Sequence, residues 1–207
     1  VSKGECEYED TLYTFYDLPG TYSLISKSRE EVIATDFILF GDFDVAVVVC
    51  DATSLEKGIN LVVQTKEICK NVVVCINLVD EAKKKGIEID FDLLSNQLNS
   101  LVVPTSARQN IGLAELLQAI KSSKDTEYLD IHYGILNDSI EKLSHTISTK
   151  DYNPKWIALK IMEENTYYVE RFKEMGIIQD QKVNLKDVDV NLEIVLKIAR
   201  KTKEILK

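Results

Sequence analysis

Three short motifs in the chain place carboxylate, amide and glycine groups directly after apolar runs. The first is D-x-x-G at residues 17–20, which follows a run rich in aromatic residues. A carboxylate at the end of a strand can hold a metal-bound water, and a glycine N–H can donate to a phosphate because glycine lets the backbone approach closely. The same pattern also fits an ordinary Asp-Pro-Gly turn. Alone, it predicts no more than a candidate phosphate or metal site.

The second motif is N-x-x-D, formed by Asn77 and Asp80 after a run of apolar residues. An aspartate carboxylate can accept hydrogen bonds from the N1–H and the exocyclic amine of guanine, while an asparagine amide contacts the other edge of the ring. Adenine would leave that carboxylate unpaired, which is costly in a buried site. The motif therefore favours guanine, although a helix N-cap or a loop carboxylate would give the same pattern.

The third motif, T-S-A-R at residues 105–108, closes the last predicted strand. Its small residues would let backbone N–H groups reach the carbonyl of a base, whereas the alternative is a simple turn from strand to helix. The three motifs occur in order, each at the carboxyl end of a predicted strand, which is where open α/β sheets place their ligands. Together they predict a guanine-nucleotide site.

Strand-like runs alternate with amphipathic stretches over the first part of the chain. This alternation predicts an α/β fold with a mostly parallel sheet and helices on both faces. Residues 45–50 are apolar without alternation, so we expect them in the centre of the sheet. Ser2–Tyr8 is expected to be an edge strand that turns into an antiparallel neighbour. The predicted strands are residues 12–17, 45–51, 72–77 and 101–105, and the predicted helices lie near residues 55–69, 91–98 and 113–120.

Beyond about Ser122 the apolar pattern has the period of a helix. Asn153 and Pro154 predict the start of one such helix, since asparagine caps helix N-termini and proline suits the first turn. Trp156, close to this start, is expected to anchor packing between helices. Apolar residues spaced i, i+4, i+7 and i+11 form one face of another helix; they are Leu136, Ile140, Leu143 and Ile147.

The change of pattern also predicts a domain boundary, which we expect between Lys121 and Tyr128. The first domain would cover residues 1–124, and an all-helical second domain would cover residues 125–207. A last helix is expected from about Val190 to Leu206. With 207 residues, the chain is long enough for two small domains that each bury a core.

Composition excludes several function classes. The net charge is −9 and the lysines are interspersed with acidic residues, so the chain offers no basic surface for phosphate backbones and we expect no nucleic-acid partner. No apolar stretch reaches the roughly 20 residues that span a bilayer, and the first residues are polar. We therefore expect this polypeptide to be soluble.

The cysteine and histidine patterns predict no metal site. His132 and His145 lie thirteen residues apart without clustered carboxylates, which is typical of surface residues rather than ligands. The cysteines form no C-x-x-C pair, and we expect them to be buried and reduced. They are Cys6, Cys50, Cys69 and Cys75.

The three motifs are embedded in longer blocks that resemble one known family. Residues 17–24 (DLPGTYSL) are similar to the second switch of the ferrous iron transport B proteins. Residues 41–57 and 77–82 also resemble that family, in which an apolar residue such as Leu78 replaces the lysine found in most N-K-x-D motifs. Residues 152–160 (YNPKWIALK) resemble its cytosolic helical domain. The resemblance covers essentially the whole chain.

The resemblance implies a P-loop GTPase-like (Ras-like) fold with a mostly parallel sheet, truncated at its N-terminus and followed by a small helical (GDI-like) domain. It implies a slow GTPase region on the cytoplasmic face of a bacterial cell membrane, which regulates Fe(II) transport through a permease region of the same full-length protein. GTP or GDP and Mg²⁺ are the implied ligands. The resemblance leaves open a requirement for K⁺ and the formation of homo-oligomers.

The resemblance also carries roles over to individual residues. Asp17 would hold Mg²⁺ through a water molecule, and Gly20 would donate to the γ-phosphate. Asn77 and Asp80 would read guanine. Thr21 stands where many small GTPases carry a catalytic glutamine, so no catalytic side chain is assigned and slow hydrolysis is expected. The residues that would support the base are Ser106 and Ala107, and those of the switch region are Leu18, Pro19, Thr21 and Tyr22.

One element of the family pattern is missing from the sequence, namely a G-x-x-x-x-G-K-[ST] loop. The family places that loop, with its strand and helix, ahead of the position of Val1, and the first-switch threonine is missing as well. We therefore expect a truncated chain that by itself binds GTP poorly or not at all. In the related fold, the missing strand lies between residues 12–17 and residues 45–51.

Two other function classes stay open from the sequence. One is a non-catalytic scaffold in which the acidic helical part binds a protein partner. The other is a soluble GTPase of ribosome or tRNA maturation, which would share the guanine motifs but not the blocks at residues 17–24 and 152–160. Such maturation proteins usually carry basic RNA-binding extensions, and this chain has none.

Overall fold

The computed structural model describes residues 1–24, 28–123 and 126–178. The helix expected from about Val190 to Leu206 lies outside these residues. The chain divides into two compact units, one from Val1 to Leu129 and the other from Asp130 to Lys207.

The first unit alternates strands and helices, as the sequence pattern predicts. A 3₁₀ turn at Ala107–Gln109 precedes the last helix. The strands are β1 (Ser2–Tyr8), β2 (Thr11–Asp17), β3 (Ala46–Asp51), β4 (Val72–Asn77) and β5 (Leu101–Pro104), and the helices are α1 (Arg29–Phe40), α2 (Leu55–Ile68), α3 (Val79–Lys84), α4 (Phe91–Leu98) and α5 (Leu113–Ser122).

The strands form two sheets. β1 and β2 make the expected antiparallel ribbon, in which Ser2 pairs with Asp17 and Tyr8 with Thr11. β3, β4 and β5 form a parallel sheet in that order. Among the described strands, β2 and β3 belong to separate sheets.

The prediction that residues 45–51 are the central strand is wrong for the described sheet. β4 is central, and β3 pairs with β4 alone among the described strands. Val49 of β3 is 62% exposed, whereas Val72 through Ile76 of β4 are all buried. An unbroken apolar run predicts a strand covered on both faces, but β3 and β4 both carry such a run, so the pattern cannot rank them.

The core of the first unit lies on both faces of the parallel sheet. On one face, α2 packs against β3 and β4 around Val62 and Cys50. The contact is close at Gly58, where an added Cβ would lie 2.7 Å from both Cβ and Sγ of Cys50. On the other face, Ala119 of α5 packs against Val73 and other apolar residues. The sheet is therefore fixed between helices up to its carboxyl edge.

The cysteine prediction is correct in part. All four thiols are free, and Cys50 and Cys75 are buried as expected. Cys6 is exposed, because it lies on β1 in a two-stranded ribbon with little cover, and Cys69 is half-buried. Burial raises the pKa of Cys50 to about 11.

The second unit is helical over its described residues. It contains a 3₁₀ turn (Gly134–Leu136), α6 (Asn137–Ser144), α7 (Pro154–Met162) and α8 (Thr166–Glu174). The Asn153 side chain caps α7 by accepting from the Lys155 N–H at 3.0 Å, as predicted. The ring of Trp156 packs edge-on against Tyr168 and Phe172 with centroids 5.3 and 6.3 Å apart, which confirms its role as a packing anchor.

The predicted apolar face of this unit is also present. Ile140 and Leu143 of α6 pack on Ala158 and Met162 of α7, with Ile147 beside them. Both histidines are exposed, as expected. Within the described part of the chain, every helix is too short or too polar to cross a membrane.

Candidate functional site

The carboxyl ends of β4 and β5 bring two of the three motifs together. β4 ends at Asn77, and the next residue, Leu78, adopts a left-handed conformation with φ 64° and ψ 31° before α3 begins. Such a conformation costs a non-glycine residue about 1–2 kcal/mol. The Val79 N–H then donates to the Thr105 carbonyl at 3.2 Å, which ties this turn to the loop after β5.

Side chains complete the link between the two loops. The Ser106 hydroxyl donates to Asp80 Oδ1 at 2.8 Å. The Ala107 N–H donates to Asn77 Oδ1 at 3.1 Å, and the Thr105 hydroxyl donates to the same oxygen at 3.2 Å. The four residues that the sequence assigns to the guanine site thus form one hydrogen-bonded cluster. They are Asn77, Asp80, Ser106 and Ala107.

The charge on Asp80 is maintained by its surroundings. The Ser106 hydroxyl is the largest cause that lowers the pKa of this carboxyl below its ordinary value, and Lys84 adds a smaller electrostatic effect. An aspartate is already ionised at neutral pH, and these contacts favour its charged form further. An ionised carboxylate at a loop edge is suited to pair with two neighbouring N–H donors of a planar ring.

The loop after β5 has a defined conformation. Ser106 and Ile111 exchange two backbone hydrogen bonds of 3.0 and 3.1 Å around the 3₁₀ turn. Gly112 follows with φ 77°, and an added Cβ there would lie 2.1 Å from the Pro104 carbonyl oxygen, so only glycine fits. Gly112 is a residue that motif reading misses. Its sequence signal is a glycine just before an amphipathic helix.

The first motif lies at the end of β2. The exposed Asp17 accepts a hydrogen bond from the Ser2 hydroxyl at 3.3 Å, and residues 17–20 line an open pocket with Val1 and Ser2. An added Cβ at Gly20 would meet nothing within 4 Å. The packing of the described chain therefore does not require glycine at this position, whereas close approach of a ligand would.

The segment after Gly20 is anchored to two helices. Gln64 Oε1 on α2 accepts from the Leu24 N–H at 2.6 Å and from the Ser23 hydroxyl at 3.3 Å. The Thr35 hydroxyl on α1 lies 3.4 Å from the Leu24 carbonyl oxygen and 2.8 Å from the Glu31 carbonyl oxygen, so its one proton is shared between them. Tyr22, between Gly20 and these anchors, is 75% exposed. Gln64 is a further residue that the sequence does not reveal, since its partners lie about 40 residues away along the chain.

The structure does not join this first motif to the other two. Within residues 1–24, 28–123 and 126–178, no hydrogen bond or ion pair connects Asp17 or Gly20 with Asn77 or Asp80. The cluster of Asn77, Asp80, Ser106 and Ala107 and the D-x-x-G loop are therefore two separate groups in the described part of the chain.

At the D-x-x-G loop, the binding of a metal ion would depend on one carboxylate, that of Asp17. Among the described residues there is no group of three or more histidine, cysteine or acidic side chains. Asp17 alone supplies a hard oxygen donor at the end of β2, which suits Mg²⁺ because this ion keeps most of its waters and takes one or two carboxylates. The donor set fits an ion held through water, not a protein cage.

The chain matches a family model described as ferrous iron transport protein B over residues 1–120. It is 42% identical over 113 residues to the Fe(2+) transporter FeoB of Campylobacter jejuni, covering 55% of this chain and 18% of that protein. It is 34% identical over 175 residues to FeoB of Escherichia coli K12, covering 80% of this chain and 22% of that protein. The chain thus spans about a fifth of the length of these relatives.

Solved structures with a similar fold agree with these matches. The cytosolic domain of the T. maritima FeoB iron transporter in its GMPPNP form superposes with a TM-score of 0.78 at 29% identity, covering 94% of this chain and 77% of that one. The FeoB G-domain from Methanococcus jannaschii superposes with a TM-score of 0.54 at 39% identity, covering 57% of this chain and 76% of that one. The predicted P-loop GTPase-like α/β fold is confirmed.

Proposed function

Because the chain belongs to the ferrous iron transport protein B family, we propose that its first unit is the GTP-binding region of a membrane transporter for Fe(II). The observation that carries this proposal is the cluster at β4 and β5, where Asn77 and Asp80 are held by Ser106 and Ala107. That set of donors and acceptors matches the edge of guanine. The relatives named Fe(2+) transporters and the solved cytosolic domains in GDP and GMPPNP forms support the same function.

Base recognition in this proposal rests on the charge of Asp80. The ionised carboxylate accepts from the N1–H and the exocyclic amine of guanine, while the Asn77 amide, held at Oδ1 by the Ala107 N–H, contacts the other edge. Ser106 keeps the carboxylate oriented through Oδ1. Adenine offers an acceptor where guanine offers N1–H, so ATP would leave Asp80 without a partner and bind far more weakly.

The phosphate side of the proposal uses the loop after β2. Asp17 would hold Mg²⁺ through water, and the Gly20 N–H would donate to the terminal phosphate, which the open space around Gly20 permits. Bound Mg²⁺ supplies charge neutralisation on the phosphate oxygens. This loop would move as a switch that includes Leu18, Pro19 and Tyr22. The switch would end at Leu24, whose backbone contacts Gln64 and Thr35.

Slow hydrolysis follows from the same loop. The Thr21 hydroxyl donates to the Ser23 carbonyl at 2.6 Å and accepts from the Ser23 N–H at 3.1 Å, so it stabilises its own turn. A threonine engaged in this way does not orient an attacking water as a glutamine amide would. Rate enhancement would then come mainly from electrostatic stabilisation of the phosphates.

We place both units on the cytoplasmic side of a bacterial membrane, joined in the full-length protein to a permease region that carries Fe(II) as cargo. The helical second unit would pass the nucleotide state on to that region. This part of the proposal is supported by the solved neighbours described as cytosolic domains, since the T. maritima domain matches 94% of this chain.

Titration of the intact protein with a fluorescent GDP analogue tests the proposal. We expect saturable submicromolar binding that GTP displaces and ATP does not. The absence of saturable binding would contradict the proposal and favour a scaffold role, and equal displacement by ATP would contradict guanine selection at Asp80.

A further inference from the structure

Both carboxylate oxygens of Asp80 are engaged by the loop after β5. The Ser106 hydroxyl takes Oδ1 at 2.8 Å, and the side-chain amide of Gln109 donates through Nε2 to Oδ2 at 3.3 Å. The motif T-S-A-R ends before Gln109, so the sequence gives this residue no role. The structure places an amide donor on one of the two oxygens that guanine needs.

The backbone of Gln109 is held in position, and its exposed side chain donates to Asp80. Its N–H donates to the Ser106 carbonyl at 2.9 Å and closes the 3₁₀ turn, and Asn110 follows in a left-handed conformation. The paired backbone of Ser106 and Ile111 fixes the loop on both sides. Gln109 itself is exposed. Its amide therefore reaches Asp80 from a backbone that is fixed on both sides.

The Gln109 amide has the same hydrogen-bonding character as the exocyclic amine of guanine. Both are neutral NH₂ donors on a planar group, and both suit one carboxylate oxygen. The N1–H of the base can use the other oxygen, since a carboxylate offers about four acceptor positions and Ser106 takes only one of them. The 2-amino group of guanine needs Oδ2, the oxygen that Gln109 engages, whereas hypoxanthine, which has N1–H but no 2-amino group, makes no demand on Oδ2.

We propose that Gln109 is a specificity-determining residue that competes with the 2-amino group of guanine for Asp80 Oδ2. This inference rests on the proposed guanine site. With Gln109 present, GDP exchanges one hydrogen bond for another at Oδ2 and gains little from its amine. IDP keeps the Gln109 bond and loses little by lacking the amine. Gln109 therefore lowers the ratio of the affinity for guanine nucleotides to the affinity for hypoxanthine nucleotides.

The test is the ratio of GDP to IDP affinity in the intact protein, measured by competition against a fluorescent GDP analogue. Gln109→Leu removes the donor and keeps the size of the side chain, and Gln118→Ala, at an exposed glutamine on α5, is the control. One hydrogen bond of ordinary net strength corresponds to a factor of about 3 to 10 in affinity. We expect Gln109→Leu to raise the GDP:IDP ratio by that factor, mainly through tighter GDP binding, and the control to leave it unchanged.

The possible outcomes separate the two proposals. If wild-type protein binds GDP and Gln109→Leu leaves the ratio unchanged or lowers it, Gln109 does not compete with the base and the inference is overturned, while the guanine site stands. If the wild-type protein shows no saturable GDP binding, both proposals fail together. Equal thermal unfolding midpoints for wild type and both variants would exclude a folding defect as the cause of a changed ratio.

Discussion

Replacing Asp80 with asparagine perturbs the single group on which the proposed guanine selection depends. The Ser106 hydroxyl, 2.8 Å from Oδ1, can donate to an amide oxygen as well as to a carboxylate oxygen. The new side chain is therefore expected to keep its oxygen beside Ser106 and to place its NH₂ group where Oδ2 was. Guanine also presents N–H donors at that place, so an N–H group of the base would face the NH₂ group of the asparagine without an acceptor.

The expected loss follows from this exchange. The new NH₂ group leaves an N–H donor of the base without an acceptor, and the remaining bond to a neutral amide oxygen is weaker than one to a carboxylate, so the change costs about 3–4 kcal/mol. At 1.4 kcal/mol per factor of ten, GDP should bind about 100- to 1000-fold more weakly to Asp80→Asn. Xanthine carries a carbonyl in place of the 2-amino group and can accept from the new NH₂ group. XDP should therefore bind more tightly to the variant than to the wild type.

Isothermal titration of the intact protein with GDP and XDP measures both effects. Asp92→Asn on α4 is a matched control, because it makes the same chemical change at another exposed aspartate. A loss of less than threefold for GDP would refute the assignment of Asp80. A parallel loss for GDP and XDP would show that the variant damages the loop rather than reversing its hydrogen-bond pattern.

Three further predictions concern the framework of the site. Gly58→Ala should lower the free energy of unfolding, measured by urea titration, by about 1–3 kcal/mol, because the new Cβ would lie 2.7 Å from Cβ and Sγ of Cys50. Adding Cys50→Ala to this variant should restore part of the lost stability. At pH 8, a thiol reagent should label the exposed Cys6 rapidly and the buried Cys50 and Cys75 only under unfolding conditions. Burial raises the pKa of the Cys50 and Cys75 thiols, which keeps them protonated. Equal labelling rates for the three cysteines would contradict the burial of Cys50 and Cys75. Burial lowers the pKa of Lys66, so the folded state binds this proton less tightly than the unfolded chain. The free energy of unfolding should then rise as pH increases from the lowered pKa towards the ordinary value of about 10.4, and Lys66→Met should abolish that part of the rise in urea titrations at several pH values.

The strands and the clustering of Asn77 and Asp80 with Ser106 and Ala107 could be predicted from the sequence for clear physical reasons. A parallel strand covered on both faces needs apolar residues without interruption, and Val72–Asn77 is found with the predicted bounds. The carboxyl ends of neighbouring parallel strands meet at one edge of the sheet, so Asn77 and Asp80 lie beside Ser106 as the order of motifs indicates. Local composition and one topological rule are enough for this part.

Other elements depend on signals that apolar periodicity does not carry. α1 is marked by a capping box, in which Ser28 Oγ accepts from the Glu31 N–H at 3.1 Å and the Glu31 carboxylate accepts from the Ser28 N–H at 3.0 Å. Gln109 reaches Asp80 across 29 residues of sequence. A single sequence shows neither that distance nor the turn that brings the amide to the carboxylate.

Lys66 shows most clearly why burial cannot be read from residue type alone. A lysine on an amphipathic helix normally faces water, yet Lys66 on α2 is fully buried. Its Nζ lies 2.7 Å from Thr126 Oγ1 and 3.1 to 3.2 Å from the carbonyl oxygens of Lys70, Asn99 and Glu127, so its three N–H groups are shared among four acceptors. These acceptors make burial of the ammonium tolerable without a carboxylate. Two of them lie 60 and 61 residues further along the chain, in the segment that ends the first unit. A cation on α2 therefore fixes that segment, and the segment in turn makes the lysine a core residue.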